Sequence, residues 1–187
     1  MKIIVSPAKT MVENSDSYIG SSVPTYIDYS LILLDEIRKK SYEELKEIWK
    51  CNEKIANENF DRFKDMNLQG SLTPAIFSYQ GIQYQYMAVN VMEASSIEYI
   101  RENLYILSGF FGILRAFDGV SPYRLEMQAK MGIGDYKNLY EFWGDKIYKS
   151  LFQNNEVVIN LASKEYSKTV ETVSYTHLRA HETRHDL

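Results

Sequence analysis

A lysine set between hydroxyls follows the first apolar run of the chain, in Ser6-Pro7-Ala8-Lys9-Thr10. An ammonium beside two hydroxyls can hold an anion, and sites in α/β folds gather at the carboxyl ends of strands. The glycines with which a P-loop wraps a phosphate are missing here. The segment therefore reads either as a small anion site or as an ordinary loop. The densest chemistry lies in residues 107–127, LSGFFGILRAFDGVSPYRLEM, where Arg115, Asp118, Arg124 and Glu126 stand among three glycines and a proline. Arginine offers a permanently charged fork suited to phosphate or carboxylate. Equally, Arg115 and Arg124 can pair with Asp118 and Glu126 as structural ion pairs. Glu126 and Asp145 are candidate proton-handling groups, although Asp145 also stands four residues before Lys149, the spacing of a helix-surface ion pair.

The elements that must position these groups can be read from periodicity. Residues 2–5 form a short apolar run expected to be a central strand. From Pro24 onward Ile27, Leu31, Leu34 and Ile37 recur at helical spacing and end in Arg38-Lys39-Lys40, as suits a helix C-terminus. Ser41 with Glu44 three residues on is a capping-box signature, opening a helix with Leu45, Ile48 and Trp49 on one face. Asn52 can cap a third helix whose apolar side is Ile55, Ala56, Phe60 and Phe63. Residues 75–79 read as a strand closed by Gly81. A short helix from Ser95 or Ser96 to Asn103 precedes a strand at 104–107 that ends at Ser108-Gly109. In residues 123–127 polar and apolar side chains alternate, so a strand there would put Arg124 and Glu126 on one face and Leu125 and Met127 on the other. Residues 139–152 read as a helix with Leu139, Phe142, Trp143, Ile147 and Leu151 inward, interrupted by Gly144, which suggests close backbone packing there. The aromatic stripe on that helix reads as core. Residues 157–161 read as a final buried strand. Strands separated by helices give an α/β class, a mixed sheet flanked by helices.

Composition narrows the function classes. A chain of 187 residues with 45% hydrophobic and 25% charged residues can bury a sizeable core as one domain. No apolar run approaches the roughly 18 residues of a membrane span, and the N-terminus reaches Ser6-Pro7 too soon for a signal peptide. Cys51 is the single cysteine, so an internal disulfide is impossible and a reducing, cytoplasmic setting is expected. Lys50 and Lys54 beside it would favour a thiolate, but a lone incidental cysteine is the simpler reading. A net charge of −4 argues against a generally basic nucleic-acid binder while leaving room for a local cationic cleft.

The three histidines, His177, His181 and His185, stand four residues apart near the end, a spacing that on a helix would suggest a metal site. The run VSYTHLRAHET at 173–183 instead reads as an in-frame translation of a sequencing-library adapter, with 184–187 as index sequence. Residues 173–187 are accordingly expected to be non-native, and 1–172 the domain proper, cut before its natural end. Without a native histidine, no Ser/His/Asp or Cys/His arrangement can form. No metal site and no cofactor are expected.

Five motifs carry a resemblance to the YaaA family of bacterial peroxide-stress proteins: KIIVSPAKT at the start, FSYQGIQYQYM, LYILSGFFGILRAFDGVSPYRLEM, LYEFWGDKI, and VVINLASKEYSK. They follow one another in order, and the resemblance runs from Met1 to about Val170. The resemblance implies an unusual α/β fold, here incomplete at its C-terminus. It also implies a cytoplasmic protein that limits unincorporated iron and oxidative damage, and DNA as a partner through a basic cleft. On that reading Lys9, Arg115, Arg124 and Glu126 would line the cleft, with Ser6 and Thr10 beside Lys9. The family's helix-hairpin-helix-like element would fall either at Gly109 and Gly112, which loosely resemble such a hairpin, or in the helical pair of residues 41–65. The alternative is an enzyme of unknown reaction on a small phosphorylated or nucleotide-like ligand, and a binding role without catalysis is the leading expectation.

Overall fold

The computed structural model describes residues 1–13, 22–69, 72–153 and 157–171. The histidine-bearing tail lies outside them. In chain order the elements are β1 (Lys2–Val5), β2 (Thr10–Met11), α1 (Ile27–Arg38), α2 (Tyr42–Trp49), α3 (Glu53–Asp65), β3 (Thr73–Pro74), α4 (Ala75–Ser78), β4 (Tyr79–Gln80), α5 (Ile82–Met87), α6 (Ala94–Asn103), β5 (Leu104–Ser108), β6 (Gly112–Arg115), β7 (Gly119–Val120), α7 (Leu139–Trp143), α8 (Lys146–Leu151), β8 (Val158–Asn160) and α9 (Lys164–Glu171).

The main sheet runs in the order β6-β5-β1-β8. Strand β1 lies parallel to both β5 and β8, while β6 returns antiparallel to β5 through a tight turn. The fold is thus mixed α/β, with β1 inside the sheet as its apolar sequence requires. Two short antiparallel ribbons, β2–β4 and β3–β7, lie beside it, and isolated bridges join Ser22 to Asp118 and Ile133 to Tyr136.

Local signals set the helical quarter of the chain. The Ser41 hydroxyl accepts the Glu44 N–H at 3.3 Å while the Glu44 carboxylate accepts the Ser41 N–H at 2.7 Å, a complete capping box. The Asn52 side chain accepts the Ile55 N–H at 3.0 Å and opens α3. Trp49 then stacks on Phe63 at 5.8 Å, and Phe63 meets Phe110 edge-on at 5.6 Å. The β5–β6 turn is therefore plugged into the helical layer. Each such fully buried side chain contributes about 1.5–3 kcal/mol.

Four sequence expectations need correction. Residues 75–79 do not form a strand. Ala75–Ser78 make one helical turn, with the Ala75 and Ile76 N–H groups donating to the Asp118 and Ala116 carbonyls at 2.9 Å each. All four residues are buried, so their apolar run carried no period that could tell helix from strand. Residues 123–127 alternate as expected, with Tyr123, Leu125 and Met127 buried and Arg124 and Glu126 part-exposed. Among the described residues they pair with no strand, however, and the Leu125 carbonyl lies against Gly109 instead. The expected long helix breaks at Gly144 (φ +50°) into α7 and α8. A Cβ there would meet only an ordinary contact at 3.6 Å, so the left-handed backbone, not close packing, explains the glycine. Finally, β8 is half-buried and, among the described residues, lies at the edge of the sheet, with Val157 67% and Leu161 55% exposed beside it.

Candidate functional site

The carboxyl ends of the parallel strands β1 and β8 open onto the same place. Leu161 N–H donates to the Ile4 carbonyl at 2.9 Å, continuing the pairing past β8. Beyond it the Ser163 N–H donates to Ser6 Oγ at 2.8 Å, and Ser6 Oγ donates to Ser163 Oγ at 3.1 Å. The Tyr84 hydroxyl donates to the Ser6 carbonyl at 2.8 Å. These bonds fix the 6–9 loop against the start of α9.

A third wall comes from residues 123–126. The Tyr123 hydroxyl sits between Ser108 Oγ at 2.6 Å and the Tyr79 hydroxyl at 2.8 Å, and Ser108 Oγ accepts the Phe111 N–H at 2.8 Å. Burial pushes the Tyr123 phenol up to about 12, and Tyr79 and Tyr84 are raised by the same cause. A Cβ on Gly109 would collide with the Leu125 carbonyl oxygen. The backbone that carries Arg124 and Glu126 can therefore lie directly on the end of β5.

Between these walls is a cavity of about 270 Å³ lined by Lys9, Tyr123, Arg124, Glu126, Glu165 and Tyr166, with Ser6 and Ser163 at its edge. Glu126 bridges two cations: Oε2 lies 3.1 Å from Lys9 Nζ, and Oε1 lies 3.2 Å from Arg124 Nη2. The two pairs differ in burial, since the Arg124 side chain is 12% exposed and that of Lys9 is 66% exposed. Among the described residues, the buried Arg124 Nε has no hydrogen-bond acceptor. Glu165 faces the same space and accepts the Gln128 N–H at 3.2 Å. Burial raises its pKa and the neighbouring Glu126 adds to the rise, against the pull of the Gln128 N–H and of Lys9. Tyr166 is raised by burial as well.

A model of the family described as peroxide stress protein YaaA matches residues 1–184 of this chain. The chain belongs to the YaaA family. Among its curated relatives, each named UPF0246 protein, one from Ligilactobacillus salivarius is 56% identical over 171 residues, covering 91% of this chain and 69% of the relative. One from Agathobacter rectalis is 54% identical with the same coverage, and one from Lachnoclostridium phytofermentans is 56% identical over 91% of this chain and 67% of its own. Among the described residues, no helix of this YaaA chain is long and apolar enough to cross a membrane.

Of the residues singled out in sequence, this YaaA structure brings Ser6, Lys9, Arg124 and Glu126 together and separates the others. Arg115 stands at the opposite end of the sheet, in a cavity of about 360 Å³ that also holds Lys2, Tyr105 and Gln153. Asp118 does not pair with the Arg115 guanidinium; it accepts the Arg115 backbone N–H at 2.8 Å and the Ser22 hydroxyl at 2.6 Å. Thr10 is exposed on β2, opposite Gln80. Asp145 pairs with Lys149 at 2.6 Å on the surface of α8, and that contact holds its carboxyl below the usual range. Gly109 and Gly112 form a buried turn between two strands rather than an exposed hairpin between helices. Cys51 is part-exposed just before α3.

Sequence reasoning missed Glu165, Ser163, Tyr123 and Tyr166. One signal was available. Asn160-Leu161-Ala162-Ser163 repeats at β8 the pattern of an apolar strand running into serine that marks Val5-Ser6 at β1.

Proposed function

We propose that this chain serves the peroxide-stress response by binding a small phosphorylated or nucleotide-like ligand in the cavity of Lys9, Arg124 and Glu126. The observation that carries this reading is the division of labour around Glu126. Its nearly buried partner Arg124 is fixed, while its exposed partner Lys9 is held by a contact worth only about 0–1 kcal/mol. Lys9 can thus turn from Glu126 to an incoming anion at little cost, with the amino end of α9 and Ser163 adding dipole and hydroxyl on the same side. A cavity of about 270 Å³ suits a fragment the size of a nucleotide or smaller. It does not suit a duplex, whose major groove alone is about 12 Å wide. Limiting iron and oxidative damage is, in this reading, a consequence of what the ligand does and not of iron held by the chain. Calorimetric titration of the protein with AMP tests it. Saturable binding that weakens about tenfold in Lys9→Ala is expected, and absence of binding at millimolar AMP would reject the reading.

DNA binding has one observation in its favour, at a different place. Lys40, Lys50 and Lys130 line a shallow depression beside the α2–α3 pair, with Glu44 and Glu47 between them. Phosphates along that rim would give binding that falls steeply with salt, and replacing Lys50 and Lys130 by Ala would lower the salt slope by about two. A slope unchanged by both substitutions would remove this second reading.

A further inference from the structure

Lys9 stands between two carboxylates. Its ammonium is 3.1 Å from Glu126 Oε2, and its charge also acts on Glu165, whose carboxylate opens on the same cavity. If an anion draws Lys9 from Glu126, three negative groups share a space of about 270 Å³ whose mobile cation is engaged by the newcomer. Like charges that close cannot all stay ionised. Glu126 keeps Arg124 at 3.2 Å, and protonating it would strand a guanidinium that is 12% exposed. Among the described residues, no such cation is fixed to Glu165. It is held by the Gln128 N–H, and it faces Glu126 from the 123–127 segment and Lys9 from the β1–β2 loop. On its other sides are Tyr166 of its own helix and Tyr140 of α7, whose hydroxyl donates to the Glu165 carbonyl at 3.0 Å.

We infer that Glu165 is the proton-accepting residue of this cavity, taking one proton from solvent as an anion binds and recruits Lys9. The inference rests on the reading of the cavity as an anion-binding site. The step balances simply: a solvated proton adds to a Glu165 oxygen, no bond between heavy atoms changes, and the proton offsets one of the negative charges that the anion brings. Burial already inclines Glu165 toward the protonated form, and the turning of Lys9 to the anion weakens one of the influences opposing it. The site therefore favours the proton-rich state when full, and its affinity for an anion rises as pH falls, by up to about tenfold per pH unit while one proton is coupled.

Sulfate is the appropriate probe, because it does not itself titrate near neutrality. Calorimetry of the whole chain in two buffers of different ionisation enthalpy counts the protons taken up. The expected result is an uptake approaching one proton per sulfate in the wild type and none in Glu165→Gln. Because Gln stands in for the protonated acid, that variant should bind sulfate several-fold more tightly than wild type at pH 8 and equally at pH 5. Carbon NMR of the glutamate carboxyls supplies a check free of ligand: Lys9→Ala should move the Glu165 midpoint upward. Sulfate binding without proton uptake, or a Glu165 midpoint unmoved by Lys9→Ala, overturns this inference and leaves the cavity reading standing. Binding of neither sulfate nor AMP overturns both.

Discussion

Trp143 occupies the space that any side chain on Gly112 would need. A Cβ built there lies 2.7 Å from Trp143 Cζ3, and Gly112 has a left-handed backbone, φ +72°. The indole is fixed in place because its Nε1 donates to the Gly109 carbonyl at 3.0 Å. Gly112→Ala should therefore destabilise the fold by about 2–4 kcal/mol, combining left-handed strain with overpacking. Chemical denaturation measures it; a loss below about 0.5 kcal/mol would show that the turn relaxes freely.

Glu126 and Lys9 are in contact but are not equal in stability. Glu126→Gln leaves Arg124 nearly buried without its counter-charge and is expected to cost about 2–4 kcal/mol. Lys9→Ala removes an exposed partner and should cost less than about 0.5 kcal/mol. Equal losses in thermal melts of the two variants would contradict the asymmetry on which the mobile Lys9 depends.

The hydroxyl chain Ser108–Tyr123–Tyr79 sets an alkaline limit. The Tyr123 phenol is ordinarily at 10.0 and is pushed up to about 12 in the fold. The folded state holds this proton more tightly than the unfolded one. Its contribution is therefore complete below pH 10 and is lost as pH rises through 12. The stability of wild type relative to Tyr123→Phe should fall by about 2–3 kcal/mol across that window. Denaturation curves taken along the alkaline series report it, and a flat difference would place Tyr123 in a solvated setting.

Arg38 ties two helices together. Its Nε donates to the Phe63 carbonyl at 2.9 Å, and its Nη2 donates to the Lys64 and Met66 carbonyls at 3.0 and 2.9 Å, satisfying the end of α3 from the end of α1. Lysine has no such fork. Arg38→Lys should lose about 1–2 kcal/mol and Arg38→Ala about 2–3 kcal/mol. Indistinguishable variants would show that charge alone matters at this position.

Much of the helical region was legible because its signals are local. The Ser41–Glu44 box, the Asn52 cap and most apolar positions of α1 to α3 act within one or two turns and appear where the pattern put them; Leu31 is the exception, exposed on α1 while Leu33 and Ser30 are buried in its place. Residues 123–127 show how a local signal can be half right. Alternation correctly set Arg124 and Glu126 apart from Leu125 and Met127, yet among the described residues the alternating segment found no strand to pair with. The single turn of Ala75–Ser78 left no period at all, since every residue in it is buried.

Sequence alone determined the family, the mixed α/β class, the capped helices, and the nearness of Arg124 to Glu126 two residues on, because each of these depends on neighbours along the chain. Only the tertiary structure decided that Lys9 closes on Glu126 while Arg115 goes to the far end of the sheet. It alone brought Glu165 and Ser163 to the end of β1 across more than a hundred and fifty residues of chain. The reason is geometric. Parallel pairing of β1 with β8 sends both chains out of the sheet at the same edge, and no spacing within either segment records which other strand will be its neighbour.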